Sequence, residues 1–341
     1  MKQDPGHQEI KKQHKHLKKT HSFYSIMTDL EKIPQNIKFK DGFIKRYKEL
    51  TNWEEFKRYS SAFLRRSIRV NTLKGSIKKI SDSIKKKGWT LVPIPWCKEG
   101  FWISHPDRRD VGNLLEHHIG QIYVQESASM IPPLVLDPQP GDIVLDMCAA
   151  PGSKTTQLSA MMKGEGLIVA NDYKGQRLQS LGINIQRTAL TNTIITLMDG
   201  KRFHDFQFDK ILLDAPCSGT GTIRKSLKTL LIWNPITIKK LAGEQKRLII
   251  NAFKNLKPGG VMVYSTCSVE PHENEEVVDH LLKTFDNAKI IPKQLPGLKT
   301  SPPILEFEGK TYDPSIKDSL RIWPQDNDTE GFFVCKIRKN L

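Results

Sequence analysis

A succession of short apolar runs, each predicted as a β-strand within a βα pattern, constrains the fold of this chain most strongly. Two of them, Ile211–Leu213 and Val261–Tyr264, are continuously apolar, which is typical of strands buried on both faces of a sheet. Alternation of strands and helices predicts a mostly parallel sheet with helices on both faces. The sequence therefore predicts an α/β fold over 131–341, closed by an antiparallel strand near the C-terminus, Gly331–Ile337, beside Ser319–Pro324.

Two cysteines follow the apolar runs, and acids end the other predicted strands. Cys217 comes three residues after Asp214, and Cys267 comes three residues after Tyr264. In an open parallel sheet the ligand crevice lies beyond the carboxyl ends of the strands, so both thiols are expected at one crevice. Two thiols and a carboxylate there indicate covalent chemistry, whereas the plainer alternative is that each cysteine is a small buried apolar residue. The strands that end in acids are Asp142–Asp146, Gly166–Asp172 and Thr193–Asp199.

The N-terminal third is predicted as a basic tail, residues 1–40, followed by a small α+β domain, residues 41–130. Ser67–Thr72 alternates like a strand, Ser76 begins a helix with apolar residues on one face, and Trp89–Val92 resumes as a strand. Basic residues on this domain would hold a phosphate backbone without reading sequence. They are Arg65, Arg66, Arg69, Lys78, Lys79, Lys85, Lys86 and Lys87.

The charge of the chain, +16, is concentrated at its N-terminal end. Residues 1–100 contain 24 Lys and Arg against 10 Asp and Glu, which predicts a polyanionic partner. Five cysteines without a pairing pattern indicate reduced thiols and a cytoplasmic protein. No Cys/His cluster suggests a metal site, and the absence of a long apolar stretch predicts no membrane span. The sequence does not indicate a protein partner.

The turn after the first strand of the second domain predicts the class of ligand. Ala149–Gly152 is a small-residue turn that lacks both the dinucleotide-binding glycine pattern and a P-loop, so a pyrophosphate ligand is not expected. Asp172 suits a ribose diol, and Asp199 suits an adenine amino group. Acids around a pocket favour a cationic ligand, and S-adenosylmethionine (SAM), a sulfonium, combines these features.

Three motifs resemble those of the Sun/NSUN RNA cytosine-5 methyltransferases, and the compact layout of the chain most resembles the archaeal tRNA enzymes of that family. They are Asp146–Thr155 (Asp-Met-Cys-Ala-Ala-Pro-Gly-Ser-Lys-Thr), Asp214–Gly219 (Asp-Ala-Pro-Cys-Ser-Gly) and Tyr264–Ser268 (Tyr-Ser-Thr-Cys-Ser). The resemblance extends from about Arg65 to Arg338. It implies a class I SAM-dependent methyltransferase fold and an RNA substrate, with tRNA expected and rRNA as the alternative.

The resemblance also implies roles for individual residues. Cys267 is the expected nucleophile toward cytosine C6, and Cys217 resembles the family's release cysteine. Asp214 would hydrogen-bond the base at N3 or N4, and Lys154 would lower the thiolate pKa or hold the base. The residues expected around SAM are Cys148, Ala149, Ala150, Pro151, Gly152, Ser153, Lys154, Asp172, Arg177, Asp199 and Asp214.

Two further hypotheses compete with RNA methylation. DNA cytosine-5 methyltransferases use the same addition chemistry, but their nucleophile lies in a Pro-Cys-Gln segment, whereas Cys217 is followed by Ser218 and Gly219. A catalytically silent RNA-binding scaffold would retain the fold without the chemistry. The presence of Cys267, Cys217 and Asp214 argues against a silent scaffold.

Overall fold

The structure is a computed structural model that describes residues 37–341, so most of the predicted tail, residues 1–40, lies outside the described residues. No helix within 37–341 is long and apolar enough to cross a membrane. The strands are β1 (Ser67–Val70), β2 (Thr90–Ile94), β3 (Cys97–Ser104), β4 (Ile122–Val124), β5 (Ile143–Asp146), β6 (Leu167–Asp172), β7 (Thr193–Leu197), β8 (Phe208–Asp214), β9 (Leu256–Thr266), β10 (Ala288–Ile290), β11 (Glu306–Phe307), β12 (Lys310–Thr311), β13 (Leu320–Ile322) and β14 (Phe332–Lys339).

The helices alternate with these strands over most of the chain. The α-helices are α1 (Asp41–Leu50), α2 (Trp53–Ser60), α3 (Ile77–Lys86), α4 (Leu115–His118), α5 (Ile131–Leu136), α6 (Ser153–Met161), α7 (Gly175–Thr188), α8 (Lys228–Ile232), α9 (Pro235–Lys254), α10 (Glu275–Thr284) and α11 (Pro324–Asn327). Short 3-10 helices cover Val111–Asn113, Ala128–Met130, Gly200–Arg202, Pro271–Glu273 and Pro314–Asp318.

The larger sheet has the strand order β10-β14-β9-β8-β5-β6-β7, with β13 beside β14. Strands β5 to β9 are mutually parallel, and β14 runs antiparallel to β9, β10 and β13. Parallel strands need helical crossovers, which the intervening helices provide. This arrangement confirms the predicted α/β fold, including its antiparallel C-terminal strand.

Both faces of this sheet are covered, because successive residues of each strand point to opposite sides. Leu212 and Val263 pack with helices α5 and α6 on one face. Their neighbours Leu213 and Tyr264 pack with α9 and α10 on the other. Removing one such buried aliphatic side chain from water stabilises the fold by about 1.5–3 kcal/mol. The continuous apolar runs are thus explained by burial on two faces.

A separate antiparallel sheet, in the order β2-β3-β1-β4, forms from the N-terminal part of the chain. Helix α3 packs on it through Ile80 and Ile84. The Ser76 hydroxyl accepts a hydrogen bond from the Lys79 N–H at 3.3 Å, so Ser76 caps the helix where the sequence predicts its start. Strand β3 was not predicted from the sequence.

Helices α1 and α2 do not join that sheet, although they lie within the predicted 41–130 domain. Phe43 and Tyr47 stack with ring centroids 4.1 Å apart, and Phe43 also contacts Trp233, 5.3 Å away. Their aromatic cluster includes Trp323 as well. Residues 37–40 join it through Phe39. The N-terminal helices therefore pack on residues of the C-terminal part.

One predicted phosphate contact is wrong, because the side chain of Arg69 is buried. Its guanidinium donates hydrogen bonds to Gln125 Oε1 and Thr156 Oγ1, both at 2.8 Å, so it joins β1 to helix α6. Burial lowers the pKa of Arg69 to about 10. Two other predicted contacts are paired within the chain: Arg65 with Asp328 at 2.7 Å, and Lys87 with Glu116 at 2.6 Å.

Candidate active site

The two motif cysteines face each other at the carboxyl ends of adjacent parallel strands. Cys217 follows β8 by three residues, and Cys267 follows β9 directly. Their Sγ atoms are 3.3 Å apart, and both residues are half-buried. The structure therefore brings both thiols into one crevice, as their positions in the sequence predict.

The contact between the two thiols affects the ionisation of Cys217. The hydrogen bond with the Cys267 thiol raises the pKa of Cys217 well above its ordinary value, and burial adds to this effect. Cys217 is consequently a neutral thiol at neutral pH. An S–H group at this distance is able to donate a proton toward the Cys267 sulfur.

Beside the cysteines, Asp214 and Lys154 form an ion pair. Lys154 Nζ lies 2.7 Å from Asp214 Oδ2 and donates to Ser129 Oγ at 3.1 Å, while Ser265 donates to Asp214 Oδ1 at 2.8 Å. Burial disfavours the Lys154 ammonium, but the Asp214 carboxylate outweighs it and raises the lysine pKa. Lys154 is therefore a fixed positive charge next to the thiols. Sequence reasoning missed Ser129 and Ser265, although Ser265 lies inside a cysteine motif.

The predicted cofactor turn, Cys148–Lys154, joins β5 to helix α6. Gly152 precedes the helix with φ of 102°, and a Cβ there would lie 3.0 Å from Leu181 Cδ1. The Ala149 N–H is held by the Asn171 carbonyl at 2.7 Å. The positive φ and the nearby Leu181 side chain explain why glycine occupies this position.

The remaining predicted cofactor residues lie at the end of β6, in helix α7 and just after β7. Asp172 is buried at the end of β6, where Oδ1 accepts the Lys174 N–H at 3.1 Å and Oδ2 lies 3.1 Å from Arg177 Nη1. Arg177 also donates to the Ala150 carbonyl. Asp199 follows β7, accepts the Lys201 N–H at 3.1 Å and is partly exposed. The ligand contacts of all of these residues stay predictions.

The acids around the turn fit a cationic ligand. Asp146 Oδ2 accepts the Thr155 hydroxyl at 2.7 Å, whereas its buried Oδ1 has no hydrogen-bond partner among residues 37–341. Burial raises the pKa of Asp146 to about 7. Burial, with the Asp146 charge nearby, also raises the pKa of Cys148. An orphaned carboxylate oxygen beside further acids is the electrostatic environment that a sulfonium would relieve.

The side chains of Glu126 and the buried Glu330 lie near Lys154. The Glu330 N–H contacts Glu126 Oε1 at 3.4 Å, and Glu126 also accepts the Ala128 N–H at 2.7 Å. Burial raises the pKa of Glu330 to about 8, and the charge of Glu126 adds to it. The charge of Glu126 therefore affects the ionisation of Glu330.

Comparison with known proteins agrees with this geometry. The family described as 16S rRNA methyltransferase RsmB/F matches residues 133–338, and the N-terminal domain of 16S rRNA methyltransferase RsmF matches residues 39–127. A tRNA (cytosine(49)-C(5))-methyltransferase from Pyrococcus abyssi is 49% identical over 305 residues, which cover 89% of this chain and 97% of that protein.

Bacterial relatives are longer than this chain. Ribosomal RNA small subunit methyltransferase F from Shewanella amazonensis is 42% identical over 309 residues, and the match covers 89% of this chain and 64% of that protein. The crystal structure of a methyltransferase homolog from Pyrococcus horikoshii has a TM-score of 0.76 at 38% identity, covering 84% of this chain and 90% of that chain. The resemblance seen in the motifs is confirmed: the chain belongs to the RsmB/F family, the Sun family of methyltransferases, with the class I methyltransferase fold.

Proposed function

We propose that the chain is a SAM-dependent RNA cytosine-5 methyltransferase that acts on tRNA through a covalent enzyme–base adduct. The observation that carries this proposal is the 3.3 Å separation of Cys217 and Cys267 beside the Asp214–Lys154 ion pair. A scaffold without chemistry would have no need for two juxtaposed thiols next to a fixed charge pair. Family membership supports the same reaction class.

The cofactor residues are proposed from position and charge. Cys148–Lys154 would contact SAM through the turn between β5 and α6, Asp172 and Asp199 would hold its ribose and adenine, and Arg177 would fix the Asp172 carboxylate. SAM supplies an electrophilic methyl group next to a positive sulfur. The orphaned Asp146 Oδ1 is the observation in this structure that fits such a charge.

Cysteine attack would activate the base. Cytosine C5 is a poor nucleophile, so the Cys267 thiolate first adds to C6: a sulfur–carbon bond forms, and the C5=C6 π electron pair shifts onto C5 and, through C4, onto N3. Asp214 would hydrogen-bond the base at N3 or N4, where charge changes during addition, and Lys154 compensates the carboxylate. C5 is then enamine-like and can accept the methyl group.

Release reverses the addition. Once C5 carries the methyl group, a base removes the C5 proton, the C6–sulfur bond breaks, and the double bond re-forms. Cys217, held as a neutral thiol against Cys267, is the proposed release cysteine. The target base would have to leave its stack to reach the crevice.

The choice of tRNA rests on relative lengths. The chain spans almost the whole length of the archaeal tRNA relative but about two thirds of the bacterial rRNA relative. Ribosomal RNA is the second candidate, favoured by the RsmF-type N-terminal match over 39–127.

All five cysteines are free, which fits the reduced thiols of a cytoplasmic protein.

The test compares the methylation of two RNAs by the purified protein, with no other enzyme present. Purified protein would be incubated with tritiated SAM and either an unmodified tRNA pool or deproteinised small-subunit rRNA from the same cells, with the Cys267→Ala protein as control. Cytosine-5 methylation would be located by bisulfite sequencing. Preferential labelling of tRNA is expected; preferential labelling of rRNA would overturn the substrate proposal, and no labelling of cytosine C5 in either RNA would overturn the reaction.

A further inference from the structure

One buried carboxylate outside the residues discussed so far bonds to both cysteine segments. Glu273 Oε1 accepts the Ser218 N–H at 2.8 Å, and its Oε2 accepts the Ser268 hydroxyl at 2.5 Å. The Ser218 hydroxyl donates to the same Oε2. Ser218 directly follows Cys217, and Ser268 directly follows Cys267. One side chain therefore ties together the two loops that carry the thiols.

The surrounding hydrogen bonds strengthen this connection. Gln245 Nε2 donates to Glu273 Oε1 at 3.1 Å and to the Pro216 carbonyl at 2.9 Å. The Gly221 N–H donates to the Cys267 carbonyl at 3.0 Å. Both cysteine loops are thus held from several sides, and Glu273 lies where they meet.

We propose that Glu273 is a positioning residue that holds the Cys217 and Cys267 sulfurs at the separation at which a proton can pass between them. The inference rests on the proposed function, in which one cysteine attacks and the other assists release. Glu273 itself is fully buried beneath the serines, so it acts through the cysteine loops and not on the substrate.

The charge of Glu273 gives it a second effect. The hydrogen bond with Cys267 and burial raise the pKa of Cys217 most. The negative charges of Cys267 and Glu273 raise it further. Burial raises the pKa of Glu273, whereas hydrogen bonds from Ser218 and Ser268 favour its charged form. Replacing Glu273 with glutamine keeps the size of the side chain, but it removes the charge and one acceptor.

A trivalent arsenical tests the separation of the thiols without requiring any methylation. Phenylarsine oxide binds two thiols at once, so its affinity reports whether both sulfurs are held together. The wild-type protein should bind it at the Cys217–Cys267 pair, as mapped by mass spectrometry. Glu273→Gln should weaken binding about tenfold or more, the factor that corresponds to one hydrogen bond to a charged group.

The neighbouring Glu270 offers a matched control. It is equally buried, but its carboxylate accepts hydrogen bonds from Tyr47 at 2.9 Å, Arg46 at 2.8 Å and Trp233 at 3.0 Å. Glu270→Gln should lower the melting temperature without changing arsenical affinity. If Glu273→Gln fails to fold, the Ser218→Ala/Ser268→Ala double variant removes two donors to Glu273 and gives the same test.

The methylation assay supplies the second readout. Glu273→Gln should lower kcat about tenfold or more, leave the KM for SAM unchanged, and shift the pH profile of adduct release toward lower pH. Equal arsenical affinity in wild-type and Glu273→Gln proteins overturns the positioning role, as does absence of pairwise binding in the wild type. If the wild type does not methylate RNA, the proposed function fails, whereas the arsenical result still decides the role of Glu273.

Discussion

Lys154 Nζ, at the start of helix α6, lies 2.7 Å from Asp214 Oδ2, at the end of strand β8. Sixty residues separate the two along the chain, and the lysine side chain is 10% exposed. Each group therefore depends on the other for compensation of its charge in the interior of the site.

Removing the lysine charge should destabilise the fold. Lys154→Met leaves the Asp214 carboxylate without its partner, and loss of one member of a buried pair costs about 3 kcal/mol. Urea unfolding would measure the difference. Lys201→Met is the matched control, because its partner Glu244 and the lysine are both about a third exposed, and such a pair contributes about 1 kcal/mol or less. Equal losses in the two variants would contradict the buried role of the Lys154–Asp214 pair.

The two cysteine variants should fail at different steps. Cys267→Ala should form no covalent adduct with RNA, because attack precedes every later step. Cys217→Ala should attack, accept the methyl group and then stall, leaving an adduct that survives denaturing electrophoresis. Adduct accumulation in Cys267→Ala would instead make Cys217 the nucleophile, as in the DNA enzymes. If both cysteines are only structural, each variant loses about 1 kcal/mol of stability and no adduct appears.

Asp172→Ala should weaken SAM binding about tenfold or more, because a buried carboxylate that accepts a ribose hydroxyl makes a charge-assisted hydrogen bond. Isothermal titration calorimetry would measure the affinity. Asp205→Ala, at an exposed side chain, is the control that should leave it unchanged. An unchanged affinity in Asp172→Ala would remove this residue from the cofactor site.

The exposed lysines of helix α3 should supply salt-dependent RNA affinity. The sequence alone selects Lys85, Lys86 and Lys87, but Lys87 is bound to Glu116, so Lys85 and Lys86 are the better pair to neutralise. Replacing both with glutamine should reduce the slope of log affinity against log salt by up to about 1.4–1.8. Lys289 and Lys317, exposed lysines of the C-terminal part, form the control pair. A slope that is the same in both double variants would place the RNA on another surface.

The buried Glu330 should make stability fall as pH rises. Burial and Glu126 raise its pKa to about 8 in the folded protein, above the ordinary 4.5, so folding favours the protonated carboxyl. Its contribution is complete below pH 4.5 and is lost progressively up to pH 8. Glu330→Gln should therefore gain stability relative to the wild type between pH 5 and 8.5, whereas the exposed-site control Glu306→Gln should not. Parallel pH profiles for the wild type and Glu330→Gln in urea unfolding would show that Glu330 ionises normally.

The site residues whose positions could be predicted from the sequence are those that lie at or just after the ends of parallel strands. Cys217 and Cys267 could be placed together because parallel strands end at one edge, and that rule needs no knowledge of side-chain packing. Glu273 could not be found in this way: it lies in a short helix after β9, and nothing in its local pattern shows that Ser218, 55 residues earlier, is its partner.

Contacts between residues that are distant in the sequence could not be predicted for the same reason. The aromatic residues of α1 and α2 gain their burial from Trp233 and Trp323, so their local sequence does not show what they pack against. Arg69 looks like a surface cation until Gln125 and Thr156 are placed around it. Pro132 and Pro133 mark the beginning of the second domain, but they also fit the first turn of helix α5, where proline is tolerated.

The stacking of Phe43 and Tyr47 against Trp233 has a consequence for protein engineering. A chimaera cut at residue 130 would separate the methyltransferase part from the helices that cover it, leaving an aromatic face open to water and to aggregation. Exchange of the N-terminal antiparallel sheet between family members would instead have to start after Ser60, so that α1 and α2 remain with the aromatic residues on which they pack.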